Sequence, residues 1–316
     1  MGFSRVAMPL RSSAVEAKPM NQIERAWPWI LRAIWFGVVL MSGRLFGAGV
    51  AELSKPVKTV LLVAAWLVWS GCFLATLIAH PLGLVTLRCG ALAVVSATVW
   101  AAYRVQQSGD HRPALVVAGI GWTVVAAGLA LHAETGHFAV NGPAYPNERR
   151  FLLRPAAVVQ VVVVPLSAGL LVAGAMSGVV LLAAGQWVLG AVLTVLGGVV
   201  AVVMSRALYA AARRFVVFVP AGFVLHDLVA LREPVLFRRQ SIAAVGAAEV
   251  DTDALDLTLG AAGLVMEIRF HEKVELTRRV GRDDFREGRS ARFLFVPTLP
   301  GRMLAEARAR GLSATS

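Results

Sequence analysis

The 51 residues from position 155 to position 205 contain no Asp, Glu, Lys, Arg or His. A helix needs roughly 20 apolar residues, each rising about 1.5 Å, to cross the roughly 30 Å of hydrocarbon in a bilayer. The run is therefore long enough for two membrane crossings joined by a tight turn, and a soluble core does not explain it. The sequence predicts an integral membrane protein.

The composition of the whole chain supports this prediction. Of its 316 residues, 57% are hydrophobic and only 16% are charged, whereas soluble proteins carry roughly 25% charged residues. The formal net charge of +12 does not indicate a nucleic-acid partner, because the basic residues are spread over many segments and form no single stripe. We instead expect Lys and Arg to be retained on the cytoplasmic side, beside anionic membrane lipid.

Six apolar segments are predicted to form a transmembrane domain over residues 27–206. The predicted helices cover about 29–50, 59–79, 84–103, 114–132, 155–180 and 186–206. Pro165 is expected to kink the fifth of them. The first segment contains Arg32 and Arg44, and it either spans the bilayer or lies in the interface. Residues 1–26 are predicted to be a disordered cytoplasmic N-terminus, with translation starting at Met1 or Met20.

Six crossings place both ends of the chain on the same side of the membrane. With the termini inside, the cytoplasmic basic residues outnumber the outer ones by about two to one, as the positive-inside rule requires. The inner set is Arg25, Arg88, Arg149, Arg150, Arg154, Arg206, Arg213 and Arg214, and the outer set is Lys55, Lys58, Arg104 and Arg112. Basic residues that are mostly Arg, with abundant Ala, Val and Gly, are typical of a high-GC bacterium. The sequence therefore predicts a multi-pass protein of a bacterial plasma membrane with both termini cytoplasmic.

The remaining residues, 207–316, are predicted to form a small cytoplasmic β-rich domain. After Arg214 charges become frequent and apolar side chains recur with a period of two, as in strands with one wet face. The predicted strands cover 215–219, 223–228, 235–238, 255–259, 264–270, 274–278 and 292–296, and 281–290 is predicted to be a charged loop. Thr298 and Pro300 predict the start of a last helix and Gly311 its end. Its apolar positions Met303, Leu304 and Ala307 share one face.

The predicted fold is thus an α-helical polytopic membrane bundle followed by a small β-rich domain with a C-terminal helix. Several short antiparallel strands closed by one helix resemble the pleckstrin-homology-like (PH-like) domains of bacterial membrane proteins, over about a third of the chain. The chain as a whole resembles an uncharacterised family of actinobacterial multi-pass membrane proteins. The residues that carry this resemblance are 140–145 (VNGPAY), 148–151 (ERRF), 218–222 (FVPAG) and His226-Asp227. The resemblance implies a lineage and no mechanism.

No residue pattern predicts catalysis, a cofactor or a metal. His132, Glu134 and His137 lie close together, but their spacing does not align two imidazoles as a zincin helix does. Another group is Ser70, Cys72 and His80, but it has no nearby carboxylate, which an activated nucleophile needs. We therefore predict a protein that is not an enzyme.

The polar loop 141–154 contains the candidate binding residues. Tyr145 lies between two prolines, and Arg149, Arg150 and Arg154 follow it. One interpretation is an Arg cluster that only sets topology beside an ordered turn. The other is a site at which these four residues dock anionic lipid headgroups or the C-terminal domain, through bidentate Arg contacts.

The favoured hypothesis is a non-enzymatic scaffold or binding protein whose cytoplasmic domain binds membrane lipid or a membrane or cytoplasmic protein partner. The alternative is a small-molecule transporter or channel, in which Gln160 would line a water-accessible cavity. A third hypothesis, a lipid-modifying enzyme, would use His132, Glu134 and His137 as its polar groups. The biological process and the oligomeric state stay open.

Overall fold

The computed structural model describes residues 22–109, 112–249, 252–281 and 284–315. Within them, six helical segments are long and apolar enough to cross a membrane, which confirms the predicted multi-pass bundle. The helices are α1 Gln22–Gly49, α2 Lys55–Leu77, α3 Pro81–Gln107, α4 Pro113–Leu131, the short α5 Ala133–Asn141, α6 Val164–Ala183 and α7 Trp187–Ala212. A π-helical turn, Val159–Val163, directly precedes α6, so the irregularity expected near Pro165 appears as a local change of helical winding.

Helix α1 is packed inside the bundle and is not a separate interfacial helix. Leu31, Trp35 and Leu45, spread along its length, are fully buried. Indole N–H groups from two neighbouring helices donate to its backbone carbonyls, Trp69 to Trp35 O at 2.8 Å and Trp122 to Ile34 O at 2.9 Å. This packing favours the spanning interpretation of the first segment.

The start of α1 differs from the prediction. The helix begins at Gln22, so residues 22–26, predicted as part of a disordered N-terminus, are helical. Residues 1–21, including both candidate start positions, lie outside the described residues.

Helices α6 and α7 form a tightly packed hairpin through glycines. A Cβ added at Gly174 would lie 2.7 Å from the carbonyl oxygen of Gly197, and one added at Gly197 would overlap the backbone of Gly174. Small residues allow such close backbone approach between membrane helices. The outer face of α7 remains exposed and apolar, with Val188 82% exposed, as expected for a surface covered by lipid.

The C-terminal region is a two-sheet β domain with a final helix, as predicted in outline. The first sheet has the antiparallel order β1-β2-β3-β4, built from β1 Arg149–Leu152, β2 Phe215–Val219, β3 Gly222–His226 and β4 Val235–Arg238. The second has the order β6-β8-β7-β5-β9. Its strands are β5 Ile242–Ala247, β6 Leu255–Asp256, β7 Met266–Arg279, β8 Phe285–Phe295 and β9 Ala314–Thr315, and the helix α8 is Pro300–Ala309.

One hydrophobic core joins the two sheets and α8. Phe218 and Phe223 of the first sheet and Phe293 and Phe295 of the second are fully buried in it. Helix α8 adds Met303 and Ala307, with Leu304 partly buried beside them, which is the face predicted from the sequence. Gly311 follows the helix end with φ +68°, a conformation that suits glycine.

Several strand predictions were wrong in extent. The segments 264–270 and 274–278 form the single strand β7, with a register shift between Arg269 and Val274. Most of the predicted loop 281–290 is the first half of β8, whereas positions 282 and 283 lie outside the described residues. Both faces of this hairpin arm are largely wet, so the sequence lacks the apolar alternation that marks a half-buried strand. Cross-strand pairs such as Glu275 with Arg289, at 3.1 Å, take the place of apolar contacts.

The β domain is assembled from two separate parts of the chain. Strand β1 comes from the connection between α5 and α6, which the sequence assigned to the transmembrane domain as a polar loop. The pairing continues past β1, because Arg154 N–H donates to Val296 O at 2.8 Å and Thr298 N–H donates to Leu152 O at 2.8 Å. At the other boundary, α7 continues to Ala212, six residues beyond the predicted helix end.

Candidate functional site at the junction of the helix bundle and the β domain

One face of the first sheet packs directly on one end of the bundle. Phe215 and Val217 of β2 and Leu152 of β1 share a buried cluster with Leu84 of α3 and Val140 of α5. Only Arg213 and Arg214 separate the end of α7 from the first residue of β2. The β domain therefore follows the bundle without a flexible linker.

Helix α5 lies at this junction. It contains Glu134 and His137, and it begins directly after His132, the third residue of the group noted in the sequence. His132 is its N-cap, and its ring nitrogen accepts a hydrogen bond from Glu134 N–H at 3.2 Å. Thr135 accepts a hydrogen bond from the indole N–H of Trp27 at 3.0 Å, which joins α5 to α1. Glu134 and His137 are buried, so these groups are not solvated interface residues.

Five ionisable side chains from four elements meet at the junction, and we call them the junction cluster: Glu24, Glu134, His137, Arg149 and Arg302. Arg302 Nη1 lies 2.6 Å from Glu134 Oε2 and 3.2 Å from Glu24 Oε1. Arg149 Nη2 lies 3.0 Å from Glu24 Oε2. His137 Nε2 lies 3.5 Å from Glu24 Oε1.

The junction cluster is largely withdrawn from solvent. The side chains of Glu24, Glu134 and His137 are 12%, 9% and 6% exposed, and that of Arg302 is 24% exposed. Two carboxylates face two guanidinium groups, so each carboxylate has a cationic partner. Because a buried charge is tolerated only when it is paired, each side chain of the cluster depends on the others being in place. Arg302 belongs to α8, so the cluster fixes the C-terminal helix to α1 and α5.

Asn141, the last residue of α5, pairs with the edge of β1. Its Nδ2 donates to Arg150 O at 2.8 Å, and its Oδ1 accepts from Arg150 N–H at 2.9 Å. The amide thus acts as a one-residue substitute for a neighbouring strand, because it pairs with both backbone groups of Arg150. It also fixes the register between α5 and the sheet.

The four predicted site residues do not converge on one point. Tyr145 is 74% exposed in a turn. Arg149 binds Glu24, whereas Arg150 Nη2 lies 3.0 Å from Glu148 Oε2 and its guanidinium lies over the Phe215 ring, 5.5 Å from the centroid.

Arg154 donates to Ala262 O of the β6–β7 loop at 3.4 Å. Each of the three arginines therefore contacts a different element. The contacts of Arg150 and Arg154 with Phe215 and Ala262 lie between the predicted loop and the C-terminal domain.

A second, deeper ion pair holds the start of β2. Arg214 is 4% exposed and Asp227 is 1% exposed. The pair is bidentate, with Arg214 Nε 2.9 Å from Asp227 Oδ1 and Nη2 2.8 Å from Oδ2. Asp227 Oδ1 also accepts from the N–H groups of Val229 and Ala230. The sequence placed Arg214 among topology-setting residues and missed this pair, although Asp227 was quoted in the family resemblance.

The charged side chains of the junction pair with one another. Glu24 and Arg302 were also missed, since 278 positions separate them and no local pattern connects them. Across the part of the chain that the structure describes, no three His, Cys, Asp or Glu side chains are placed to hold a metal ion together. Gln160, the predicted cavity residue, is exposed on the π-helical turn.

Comparisons of this chain with protein-family models, with curated proteins and with solved structures found no match.

Replacing Arg302 by Met should loosen α8 and the β domain. The change keeps most of the side-chain length but leaves Glu24 and Glu134 without their shared cation. Loss of a fully buried pair costs roughly 3–5 kcal/mol and loss of an exposed one roughly 0–1 kcal/mol, so we expect about 2 kcal/mol for this partly buried case. Trypsin cleavage within the β domain should then accelerate about 30-fold, because cleavage follows local opening.

Arg308→Met is the matched control, because it removes a cation and a trypsin site from the exposed side of the same helix. Its cleavage rate should stay close to that of the unaltered protein. Equal cleavage rates for the two variants would contradict a stabilising role of the junction cluster.

Proposed function

We propose that this protein is a non-enzymatic membrane protein of the bacterial plasma membrane that holds its β domain in a fixed orientation on the cytoplasmic surface. There the domain binds lipid on the side that faces the membrane and leaves its other side open to a protein partner. The observation that carries this proposal is that β1, part of the membrane-embedded half of the chain, is an integral strand of the domain. A domain attached in this way has a defined face toward the bilayer.

Strand pairing supports the lipid-binding side. Val224 of β3 is the direct partner of Val217 on β2 and of Leu236 on β4, so these three side chains lie on one face of the sheet. Phe215 lies on the same face, and this face packs on the bundle. Leu236 is nevertheless 51% exposed, so the helices of the bundle do not cover it. An exposed leucine on a bundle-facing surface is suited to contact with lipid.

The β6–β7 loop provides a second apolar contact. No charged residue occurs between Asp256 and Glu267, and Leu259 and Leu264 are 40% and 53% exposed. The loop contacts the chain just before the π-helical turn and α6, where Ala157 N–H donates to Gly260 O at 3.4 Å. Ala157 lies just before the candidate membrane span Val159–Ala183, so the two leucines are suited to the interface.

Basic residues surround this apolar surface. Arg25, Arg206 and Arg213 are exposed at the same end of the bundle as the β domain. Their location supports contact with anionic headgroups and agrees with a cytoplasmic assignment of this end by the positive-inside rule. The second sheet lies across the domain core from the bundle, and its exposed residues, such as Lys273 and Glu275, are charged. This is the side that we assign to a protein partner.

The transporter alternative gains no support, because Gln160, its predicted cavity residue, is exposed on the π-helical turn. The third hypothesis, a lipid-modifying enzyme, gains none either, because Glu134 and His137 are engaged in the junction cluster. The resemblances to PH-like domains and to an actinobacterial family stay predictions.

A fluorescent label at Leu236 or Leu264 should report contact with lipid. Each position is changed to Cys and labelled with nitrobenzoxadiazole in protein reconstituted into vesicles. The native Cys72 and Cys89 are buried, and unaltered protein provides the background. Emission at both positions should be blue-shifted and quenched by lipids that carry a nitroxide near the headgroup.

The control is Lys273→Cys, an exposed position on the second sheet, whose label should behave as in water. Water-like emission at all three positions would contradict the lipid-facing orientation.

Copurification tests the binding function itself. The full chain is extracted gently from its native membrane, and the proteins and lipids that remain bound are identified by mass spectrometry. We expect a stoichiometric protein partner together with retained anionic lipid. Arg302→Met should retain less of the partner than Arg308→Met, because only the former loosens the contact of α8 with the bundle. Recovery of neither partner nor lipid with the unaltered protein would refute the proposal.

A further inference from the structure

A basic cleft lies at the end of the bundle opposite the β domain. It has a volume of about 570 Å³ and lies between the C-terminal ends of α1 and α3, the α1–α2 turn and the start of α4. Its lining residues are Arg44, Ala48, Gly49, Ala51, Glu52, Arg104, Ser108 and Arg112. Three guanidinium groups and one carboxylate therefore share one cavity.

Two of these cations, Arg44 and Arg104, are satisfied only in part by the residues that the structure describes. Arg104 Nη2 lies 3.9 Å from Glu52 Oε2, and the Glu52 side chain is 68% exposed, so this ion pair is loose and solvated. Arg104 Nε is buried and has no hydrogen-bond partner. Arg44 forms no ion pair with any residue that the structure describes. Arg44 and Arg104 therefore keep guanidinium donors that no described residue accepts.

The helix ends that hold Arg44 and Arg104 are fixed relative to each other. A Cβ added at Gly49 would lie 2.7 Å from Ala101 Cα, so the ends of α1 and α3 are in backbone contact. Leu45 and Ala101 are fully buried in the cluster beneath the cleft. The two arginines therefore project from a rigid base, which lowers the entropic cost of binding a ligand between them.

Neutralising the helix dipoles does not account for this arrangement. A cation near a helix C-terminus offsets the partial negative charge there, and Arg104 lies in the last turn of α3. That role is complete with one solvated cation at each helix end. It requires neither a shared cavity nor a buried guanidinium nitrogen without a partner.

We propose that this cleft binds a phosphate-class anion, held between Arg44 and Arg104. Guanidinium groups match the oxygens of a phosphate and bind them in a bidentate manner. The cleft lies where two apolar helices end, which is the level of the headgroup layer on the side of the bilayer opposite the β domain. The phosphate of an anionic lipid and free inorganic phosphate offer the same chemistry to it. The proposal is independent of the function assigned to the β domain.

The test compares two double variants of the full chain in detergent. Arg44→Gln with Arg104→Gln removes the two cleft cations. Lys55→Gln with Lys58→Gln removes two cations from the same end of the bundle but outside the cleft. Binding of phosphatidylglycerol is measured by native mass spectrometry, with phosphatidylcholine as the uncharged reference, and binding of inorganic phosphate is measured by calorimetry.

The cleft variant should bind phosphatidylglycerol at least about tenfold more weakly than the unaltered protein, since a hydrogen bond to a charged group contributes about 1.5–3 kcal/mol. The lysine variant should change by less than about twofold, because it leaves those bonds intact. Glu52→Gln should tighten binding, and this gain cannot result from misfolding. If phosphatidylglycerol binds and its binding weakens in the cleft variant as predicted, the cleft is a headgroup site. If only inorganic phosphate binds, the cleft is a site for a soluble anion. Equal losses in the two double variants, or no binding of either probe, would overturn the proposal.

Discussion

The backbone pairing of β1 with β2 is the interaction on which the arrangement of the two halves of this protein depends. Buried N–H and C=O groups require partners, and the polar connection between α5 and α6 finds them in the β domain. The connection thereby becomes a strand with β2 on one edge and the Asn141 amide on the other. The chain enters β1 from α5 and leaves it toward α6, so together with the short link from α7 to β2 the domain has three covalent attachments to the bundle, and free rotation on a single tether is excluded.

The junction cluster makes docking of the β domain and ion pairing depend on each other. Glu24 and Glu134 belong to the bundle end, whereas Arg302 belongs to the last helix of the β domain. Separating the two parts would leave both carboxylates without that cation, and restoring contact restores the charge balance. Ion pairs of this kind add little net stability compared with apolar packing, but they penalise every other orientation of the domain. The cluster therefore contributes specificity of orientation, and the apolar contacts of Phe215 and Val217 with the bundle contribute the attraction.

The sequence predicted those elements whose hydrophobic pattern is local. The uncharged run 155–205 was sufficient to identify α6 and α7, short apolar runs identified β2 and β4, and alternation identified part of β7. Prediction from the sequence failed where tertiary contacts decide the structure. Strand β1 reads as an Arg-rich loop, because half of its four residues are arginines that bind distant or neighbouring carboxylates. The pairing of Glu24 with Arg302 was beyond sequence reasoning, since nothing local connects residues at opposite ends of the chain.

Hydrogen exchange over residues 149–154 tests the central claim most directly. The amides of Leu153 and Arg154 donate to Arg214 O at 2.9 Å and to Val296 O at 2.8 Å. In the intact protein in detergent or nanodiscs, these amides should exchange as slowly as those of β2, over hours, whereas the adjoining exposed turn 143–147 should exchange within seconds. Exchange of residues 149–154 as fast as that turn would show that the segment is a free loop, and it would contradict the account of a β domain built from both halves of the chain.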